Sequence, residues 1–146
     1  MSPTSASTTI HFECVVSSTS NLRTFGSAFQ ALAKHGKDVM VEATPTSLNL
    51  RAINDSKTAF VSYLFCQEFF EVLNFSSALQ SQEVVAAKIG LKMLLTVFRT
   101  LRSIERLVIS LVTIGAEHLA VFSAHCKHGI VKTHRFHYEE VPVVCS

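Results

Sequence analysis

Hydrophobic and polar residues alternate along residues 10–16, so that four apolar side chains share one face. A period of two residues is typical of a half-buried β-strand. A Ser/Thr cluster over residues 17–20 then offers N-cap side chains, and the apolar spacing becomes helical over residues 21–35. The pattern therefore predicts a strand followed by a helix that packs one apolar face against a core.

Short strand-like runs follow this helix, and the same order of elements then recurs. In the first half, strands are predicted over residues 39–43, 48–53 and 58–65, followed by a short helix or loop over 67–73 and a polar connector over 74–83. In the second half, a strand over residues 84–89 and a second helix over 91–102 are followed by strands over 107–112, 118–124 and 130–138. Each half of the chain thus has the order β-α-β-β-β. This order predicts an α+β domain with two helices on one face of a mainly antiparallel sheet.

The two predicted helices also match each other in sequence. LRTFGSAFQAL begins at Leu22 and LKMLLTVFRTL begins at Leu91, with Phe29 and Phe98 at the same position of the match. An ungapped match of this length favours a duplicated half-domain. Amphipathic helices also resemble one another by chance, so duplication and coincidence both stay open.

The composition narrows the class of protein. Of the 146 residues, 48% are hydrophobic and 16% are charged, and this composition excludes a mostly disordered chain. A chain of this length is long enough to bury one hydrophobic core. No apolar run approaches the 18 residues of a transmembrane helix, and residues 1–9 lack the basic and apolar regions of a signal peptide. The four cysteines form no CxxC pair, so free thiols in a reducing compartment are expected.

The polar faces of both predicted helices carry basic residues and no carboxylate. Arg23 and Lys34 share a face of the first helix, Lys92 and Arg99 share a face of the second, and Arg102 follows three residues later. An ordinary solvated helix face mixes the two signs of charge. Faces without acids are typical of a surface that contacts the phosphates of a polyanion. Two solvated faces that lack acids by coincidence are the alternative interpretation.

The order of elements and the basic helices resemble one domain of the PCNA-like sliding clamps. The segment LRAINDSKTAFVSYLF from Leu50 is similar to the strand–turn–strand that follows the first helix in that superfamily. Two further segments, KMLLTVFRTLRSIERLVISL from Lys92 and AHCKHGIVKTHRFHYEE from Ala124, resemble the Rad-nine subunits of the nine-one-one checkpoint clamp more closely than PCNA itself. The resemblance covers residues 10–140.

The resemblance implies a function for the chain. In this family three related subunits close a ring around duplex DNA in the nucleus, and the ring is loaded at damage sites as a non-catalytic platform for checkpoint signalling and repair. The implied partners are duplex DNA, two other clamp subunits, a clamp loader, and repair or checkpoint proteins, with no cofactor, membrane or small-molecule substrate. The implied DNA-facing residues are Arg23, Lys34, Lys92, Arg99 and Arg102, and the strand over residues 130–138 is implied to pair with a neighbouring subunit through Ile130, Lys132, His134, Phe136 and Tyr138.

A clamp subunit normally has two such domains, and this chain ends after the first. The expected organisation is a disordered tail over residues 1–9, a single clamp-like domain over 10–140, and the start of an interdomain connector over 141–146, with a fragment, a truncated gene model or a short isoform as the explanations. Two other functions stay open. One is a PCNA-like replication processivity clamp built from identical copies, and the other is an α+β protein-interaction adaptor whose helices do not contact DNA.

Other chemistry is less well supported by the sequence. Cys126, His128, His134 and His137 could be written as a zinc set, but the period of a strand puts His134 and His137 on opposite faces, whereas tetrahedral zinc needs converging ligands. No glycine-rich elbow or helix N-terminus lies near Cys126 to activate it as a nucleophile. Carboxylates are not clustered as a metal-dependent nuclease requires, and no phosphate-binding glycine motif is present. We therefore predict no catalytic or metal-binding residues.

Overall fold

A computed structural model describes residues 7–53, 61–76 and 84–140. Within these ranges the first half of the chain forms five strands and one helix. They are β1 (Thr8–Val16), α1 (Thr19–Ala33), β2 (Asp38–Ala43), β3 (Ser47–Ile53), β4 (Ser62–Cys66) and β5 (Val72–Phe75), with a 3-10 turn at Gln67–Phe69. No helix of the described residues is long and apolar enough to span a membrane.

The described part of the second half has the same order of elements. They are β6 (Val85–Gly90), α2 (Leu91–Leu94), β7 (Ile104–Ile114), β8 (Glu117–Cys126), β9 (Val131–His137) and the short β10 (Glu139–Glu140). Two 3-10 turns, at Leu95–Phe98 and Leu101–Ser103, continue the chain from α2 to β7, and a third at Lys127–Gly129 joins β8 to β9.

The strands form two antiparallel sheets of five strands each among the described residues. One sheet has the order β5-β1-β7-β8-β9 and the other has the order β10-β6-β2-β3-β4. The strands β1 to β5 of the first half correspond in chain order to β6 to β10 of the second half. Exchanging each strand with its counterpart converts one sheet order into the other. Each half therefore contributes strands to both sheets, and neither half can bury its core without the other.

Core-facing residues of the two halves correspond strand by strand. Cys14 of β1 and Ala87 of β6 occupy matching positions and are both fully buried, and Phe65 of β4 corresponds to Phe136 of β9, each 6% exposed. The sheet order and these matching positions support the predicted duplication.

The helix α1 begins and packs as its sequence pattern predicts. Ser18 is the N-cap, and its hydroxyl oxygen accepts a hydrogen bond from the backbone N–H of Asn21 at 3.0 Å. The buried side of the helix packs through the residues Leu22, Phe25, Gly26, Ala28, Phe29 and Leu32. This helical spacing leaves the polar residues on the opposite, exposed side.

A cluster of phenylalanine rings forms the centre of the core. The ring of Phe25 lies 5.1 Å from the rings of both Phe29 and Phe65, in edge-to-face geometry. It also lies 6.1 Å from the ring of Phe98, which follows α2. Since these rings come from α1, β4 and the turn after α2, the cluster joins both halves of the chain and buries apolar area that contributes to stability.

The second predicted helix is the main departure from the sequence expectation. Only Leu91–Leu94 is α-helical, and 3-10 turns at Leu95–Phe98 and Leu101–Ser103, joined by a two-residue turn, replace the rest of the predicted helix. The core positions Val16 and Val39 are separated by 22 residues, whereas their counterparts Ile89 and Leu107 are separated by 17. The shorter connection has less chain to span the same gap, and this accounts for the interrupted helix.

Two smaller expectations were also wrong. The strand β5 lies across the boundary between the predicted short helix or loop and the predicted polar connector. It was not predicted, because four residues are too few to show a clear alternation of apolar and polar side chains. The helices also pack against two sheets and not against one, as α1 contacts both β3 and β7.

Residues 58–60 of the predicted third strand after the first helix, and 77–83 of the connector, lie outside the described residues.

Candidate nucleic-acid interface

The helix α1 and the segment from Leu91 to Ser103 lie side by side and run in opposite directions. The backbone N–H of Leu91 donates to the carbonyl oxygen of Lys37 at 2.8 Å, which holds the start of α2 beside the end of α1. At the other end of the pair, Thr19 at the start of α1 and Ser103 at the end of the second segment line one surface groove. Both elements therefore belong to one layer of the domain.

The exposed face of α1 carries the residues that its spacing predicted. Arg23, Ser27, Gln30 and Lys34 are all exposed, and Lys34 is the C-cap residue of the helix. No Asp or Glu occurs between residues 19 and 37. The face therefore combines positive charge with hydrogen-bond donors, which is the chemistry that phosphate groups require.

A groove between α1 and the turns after α2 gathers basic side chains from three elements. Arg23 of α1, Arg99 and Arg102 of the turns, and Lys127 of the β8–β9 connection all line it. Its apolar lining includes Leu22 and Phe98, both almost fully buried in the core. One carboxylate, Glu105, also lines the groove. Four cations against one acid leave the groove with net positive charge.

Lys34 and Lys92 lie elsewhere. Neither lines the groove, and both are exposed near the opposite end of the helix pair, where α1 ends and α2 begins. The α-helix ends at Leu94, so Lys92 lies in the α-helix whereas Arg99 lies in the turns that follow it. The five candidate cations thus form two groups, with Arg23, Arg99 and Arg102 in the groove.

None of the five candidate cations forms an ion pair with a carboxylate of the described residues. The Lys and Arg ion pairs of that part of the chain lie on the sheets, where Arg51 pairs with Glu42 at 2.7 Å and Arg106 pairs with Glu71 at 3.3 Å. The cations around the helices therefore keep their charge available for an external anion. Sequence reasoning did not select Lys127, because its position beside Arg102 depends on the return of the β8–β9 connection, which no local pattern predicts.

The candidate edge strand is β9, which pairs only with β8 among the described strands. Ile130 and Lys132 are exposed, and His134 is half-buried with its ring parallel to that of Phe136 at 6.2 Å. Phe136 and Tyr138 are buried, and Phe136 packs edge-to-face on Phe122 of β8 at 5.7 Å. These two side chains therefore contribute to the domain's own core, whatever the backbone of the strand pairs with.

A chain of polar side chains crosses the far end of the first sheet. The hydroxyl oxygen of Thr113 lies 2.7 Å from Nε2 of His11 and 3.0 Å from Nδ1 of His118. The other ring nitrogen of His118, Nε2, lies 3.5 Å from a carboxylate oxygen of Glu140. Burial lowers the pKa of His11 below its ordinary value, His118 lowers it further, and Glu140 opposes this shift. Burial raises the pKa of Tyr138 to about 12, and the charge of Glu140 acts in the same direction.

The remaining cysteine and histidine candidates are dispersed over the described residues. Cys126 is buried, with its Sγ 3.6 Å from the carbonyl oxygen of Ala124, and burial raises the pKa of the Cys14 thiol. The register places His134 opposite Phe122 and His137 opposite Leu119, on the two faces of the sheet. No group of three or more potential metal ligands converges in the described part of the chain.

Comparison with known proteins decides the family. The family model named Rad9 matches residues 25–144, which is most of the chain. The chain belongs to the Rad9 family. It is also 35% identical over 86 residues to the cell cycle checkpoint control protein Rad9 of Drosophila melanogaster, an alignment that covers 59% of this chain and 18% of that protein.

Solved structures show the same clamp fold as this Rad9-family chain. PCNA from Thermococcus kodakaraensis superposes with a TM-score of 0.70 at 20% identity, over 92% of this chain and 50% of that one. The PCNA2–PCNA3 complex from Sulfolobus tokodaii gives a TM-score of 0.67 at 11% identity, over 96% of this chain and 51% of that one. The predicted α+β, PCNA-like fold is confirmed. The chain spans about half the length of these clamp proteins and less than a fifth of the Drosophila relative.

Proposed function

We propose that this Rad9-family chain is the N-terminal clamp domain of one subunit of a heterotrimeric DNA sliding clamp. The clamp encircles duplex DNA in the nucleus, where it acts in DNA-damage checkpoint signalling and repair after a clamp loader places it on DNA. The proposed domain covers residues 10–140, and the connector to a second domain is proposed for residues 141–146, which lie outside the described residues. The observation that carries this proposal is the single layer of two packed helical segments whose exposed cations have no carboxylate partner in the described chain.

The proposed mechanism is topological. Arg23, Arg99 and Arg102 contact phosphates of the duplex, with Lys34 and Lys92 as further contacts nearer the other end of the helix pair. Such contacts gain free energy from the release of counterions and carry no sequence information. Each contact can be weak, because a closed ring leaves DNA only by opening or by running off an end. The same cations therefore hold the clamp on DNA and allow it to slide.

The Rad9 and PCNA-like clamp families are in general not enzymes, and we propose a non-catalytic role for this chain as well. The match to the Rad9 model favours a checkpoint clamp of unlike subunits over a replication clamp of identical copies, since the PCNA-like fold alone is common to both. The match to a clamp fold, together with the basic groove, favours both over an adaptor domain without DNA contact.

The test uses the complete subunit assembled with its clamp partners and loaded onto DNA by its clamp loader. Gel filtration at about 0.3 M salt removes proteins that are bound only by electrostatic contacts. We expect the complex to stay on closed circular DNA, and to leave when a single restriction cut makes the circle linear. Equal retention on circular and linear DNA, or no retention on either, would contradict encirclement.

A further inference from the structure

The strand β7 has one residue more than its partner β8 near its start. Ile104 pairs with Cys126 and Arg106 pairs with His125, so Glu105 has no residue opposite it. A β-bulge of this kind leaves its extra residue out of the ladder and redirects a side chain. The extra residue, Glu105, is the carboxylate that lines the groove between α1 and the turns after α2.

The hydrophobic core gives no reason for this extra residue. Ile104 is 6% exposed and Leu107 is fully buried, whereas the two residues between them are exposed. Side chains of a regular strand alternate between its two faces, which allows one exposed residue between two buried ones. Arg106 alone would satisfy this alternation, and its side chain lies 3.3 Å from Glu71. The insertion of Glu105 therefore adds a carboxylate at the groove without adding to the core.

The charge of Glu105 is opposite to that of its surroundings. Among the described residues it is the only acid that lines the groove, together with four cations, Arg23, Arg99, Arg102 and Lys127. Its side chain is exposed, and none of the ion pairs of residues 7–53, 61–76 and 84–140 includes it. A phosphate that enters the groove is therefore attracted by the cations and repelled by Glu105.

The same end of the β7–β8 ladder supplies both signs of charge. Lys127 directly follows Cys126, which pairs with Ile104, and Glu105 directly follows Ile104. The bulge thus brings a carboxylate to the part of the groove to which the β8–β9 connection brings a cation. The attraction of a phosphate at this position is weaker than the number of cations alone would give.

We propose that Glu105 weakens the contact between the groove and DNA phosphates, and thereby sets how fast the clamp moves along the duplex. This inference rests on the proposed clamp function and adds a residue that acts against the arginines of the same groove. A closed ring keeps the clamp on DNA without strong contacts, whereas a strong contact would slow its movement. Removing one exposed charge should change the strength of the contact about twofold to fivefold.

Tracking of single fluorescent clamps on stretched DNA measures this movement. The complete subunit carries Glu105→Gln, is assembled with its clamp partners, and is placed on DNA by the clamp loader. We expect the variant to diffuse about two to five times more slowly than the wild-type clamp at about 0.1 M salt. The difference should disappear at about 0.5 M salt, where exposed charges are strongly screened.

The matched control is Glu117→Gln, which makes the same change of charge on the same hairpin. Glu117 pairs with Ile114 at the other end of the β7–β8 ladder. At about 3.3 Å per residue this end lies about 30 Å from Glu105, several times the screening length of about 10 Å in 0.1 M salt. The control should diffuse like the wild-type clamp. A Glu105→Gln clamp that diffuses as fast as the wild type, or faster, would overturn the inference.

Binding of the assembled clamp to a short linear duplex gives an independent measurement that needs no loader. The Glu105→Gln clamp should bind about two to five times more tightly, and its salt dependence should be steeper by up to about 0.9. When Arg102 and Lys127 are also replaced by glutamine, the change at Glu105 should have little effect, because the groove then attracts phosphates less. If Glu105 only supports the fold, its replacement leaves binding unchanged or weaker, and either result contradicts the proposal.

The failure of this inference is distinguishable from the failure of the clamp function. A wild-type clamp that is retained equally on circular and linear DNA would contradict encirclement itself. If the wild-type clamp encircles DNA and Glu105→Gln changes neither its diffusion nor its affinity, the clamp function stands and the role of Glu105 does not.

Discussion

The ring of Phe29 stacks on the ring of Phe98, with centroids 5.1 Å apart and planes inclined by 22°. Phe29 belongs to α1 and Phe98 to the 3-10 turn after α2, so this contact fixes the distance between the two helical segments. Both side chains are buried. The spacing of the basic residues on the other side of this layer therefore depends on an apolar contact beneath them.

Replacing Phe98 by alanine should reduce the free energy of unfolding by about 3–5 kcal/mol, because it removes a fully packed ring and leaves a cavity beside Phe29. Urea titration followed by circular dichroism measures this change. Met93→Ala is the control, since Met93 is 62% exposed on the same segment and should change stability by less than about 1 kcal/mol. Similar effects of the two substitutions would show that the stacked pair does not join the segments.

A larger side chain at Gly26 should crowd the segment that follows α2. A Cβ added at Gly26 would lie 3.2 Å from a methyl carbon of Leu101 and 3.3 Å from the ring of Phe98. Gly26→Val should therefore destabilise the protein by about 1–3 kcal/mol through overpacking. Ser27→Val places the same side chain on the exposed face of α1 and serves as the control. A Gly26→Val protein as stable as the control would contradict the close approach.

Substitution of Phe136 should act on folding and not on subunit pairing alone. Phe136→Asp places a carboxylate in the core and removes the contact with Phe122, so we expect a loss of about 4 kcal/mol or more. Val131→Asp, on the exposed part of the same strand, should cost less than about 1 kcal/mol. Thermal unfolding of the two variants measures the difference. An unchanged melting temperature for Phe136→Asp would show that Phe136 is not a core residue.

The lowered pKa of His11 predicts a loss of stability in mild acid. The folded protein binds this proton less readily than the unfolded chain, whose histidine pKa is about 6.5. The contribution of neutral His11 to stability is therefore fully present above pH 6.5 and decreases as the pH falls below that value. His11→Gln keeps a donor for Thr113 but removes the titration, so the variant should lose less stability between pH 7 and pH 5 than the wild-type protein. Parallel stability curves would contradict the shift.

Local patterns were sufficient for most of the fold and for part of the site. Alternation and helical spacing located β1, α1 and the three long strands of the second half, because each of these buries one face along its whole length. The interruption after Leu94 was not predicted, since the sequence of residues 91–102 is compatible with a helix and only the shortened connection to β7 breaks it. The proximity of Lys127 to Arg102 depends on sheet topology and has no local signal.

The salt dependence of DNA binding by the assembled clamp tests the central claim most directly. The logarithm of the binding constant falls as the logarithm of the salt concentration rises. Replacing Arg23, Arg99 and Arg102 by glutamine should make this slope less steep by about 0.9 per lost phosphate contact. The matched control replaces three cations that pair with carboxylates, Arg51, Lys88 and Arg106, and should leave the slope unchanged. An unchanged slope for the groove variant, or an equal decrease for the control, would contradict the assignment of these residues to DNA.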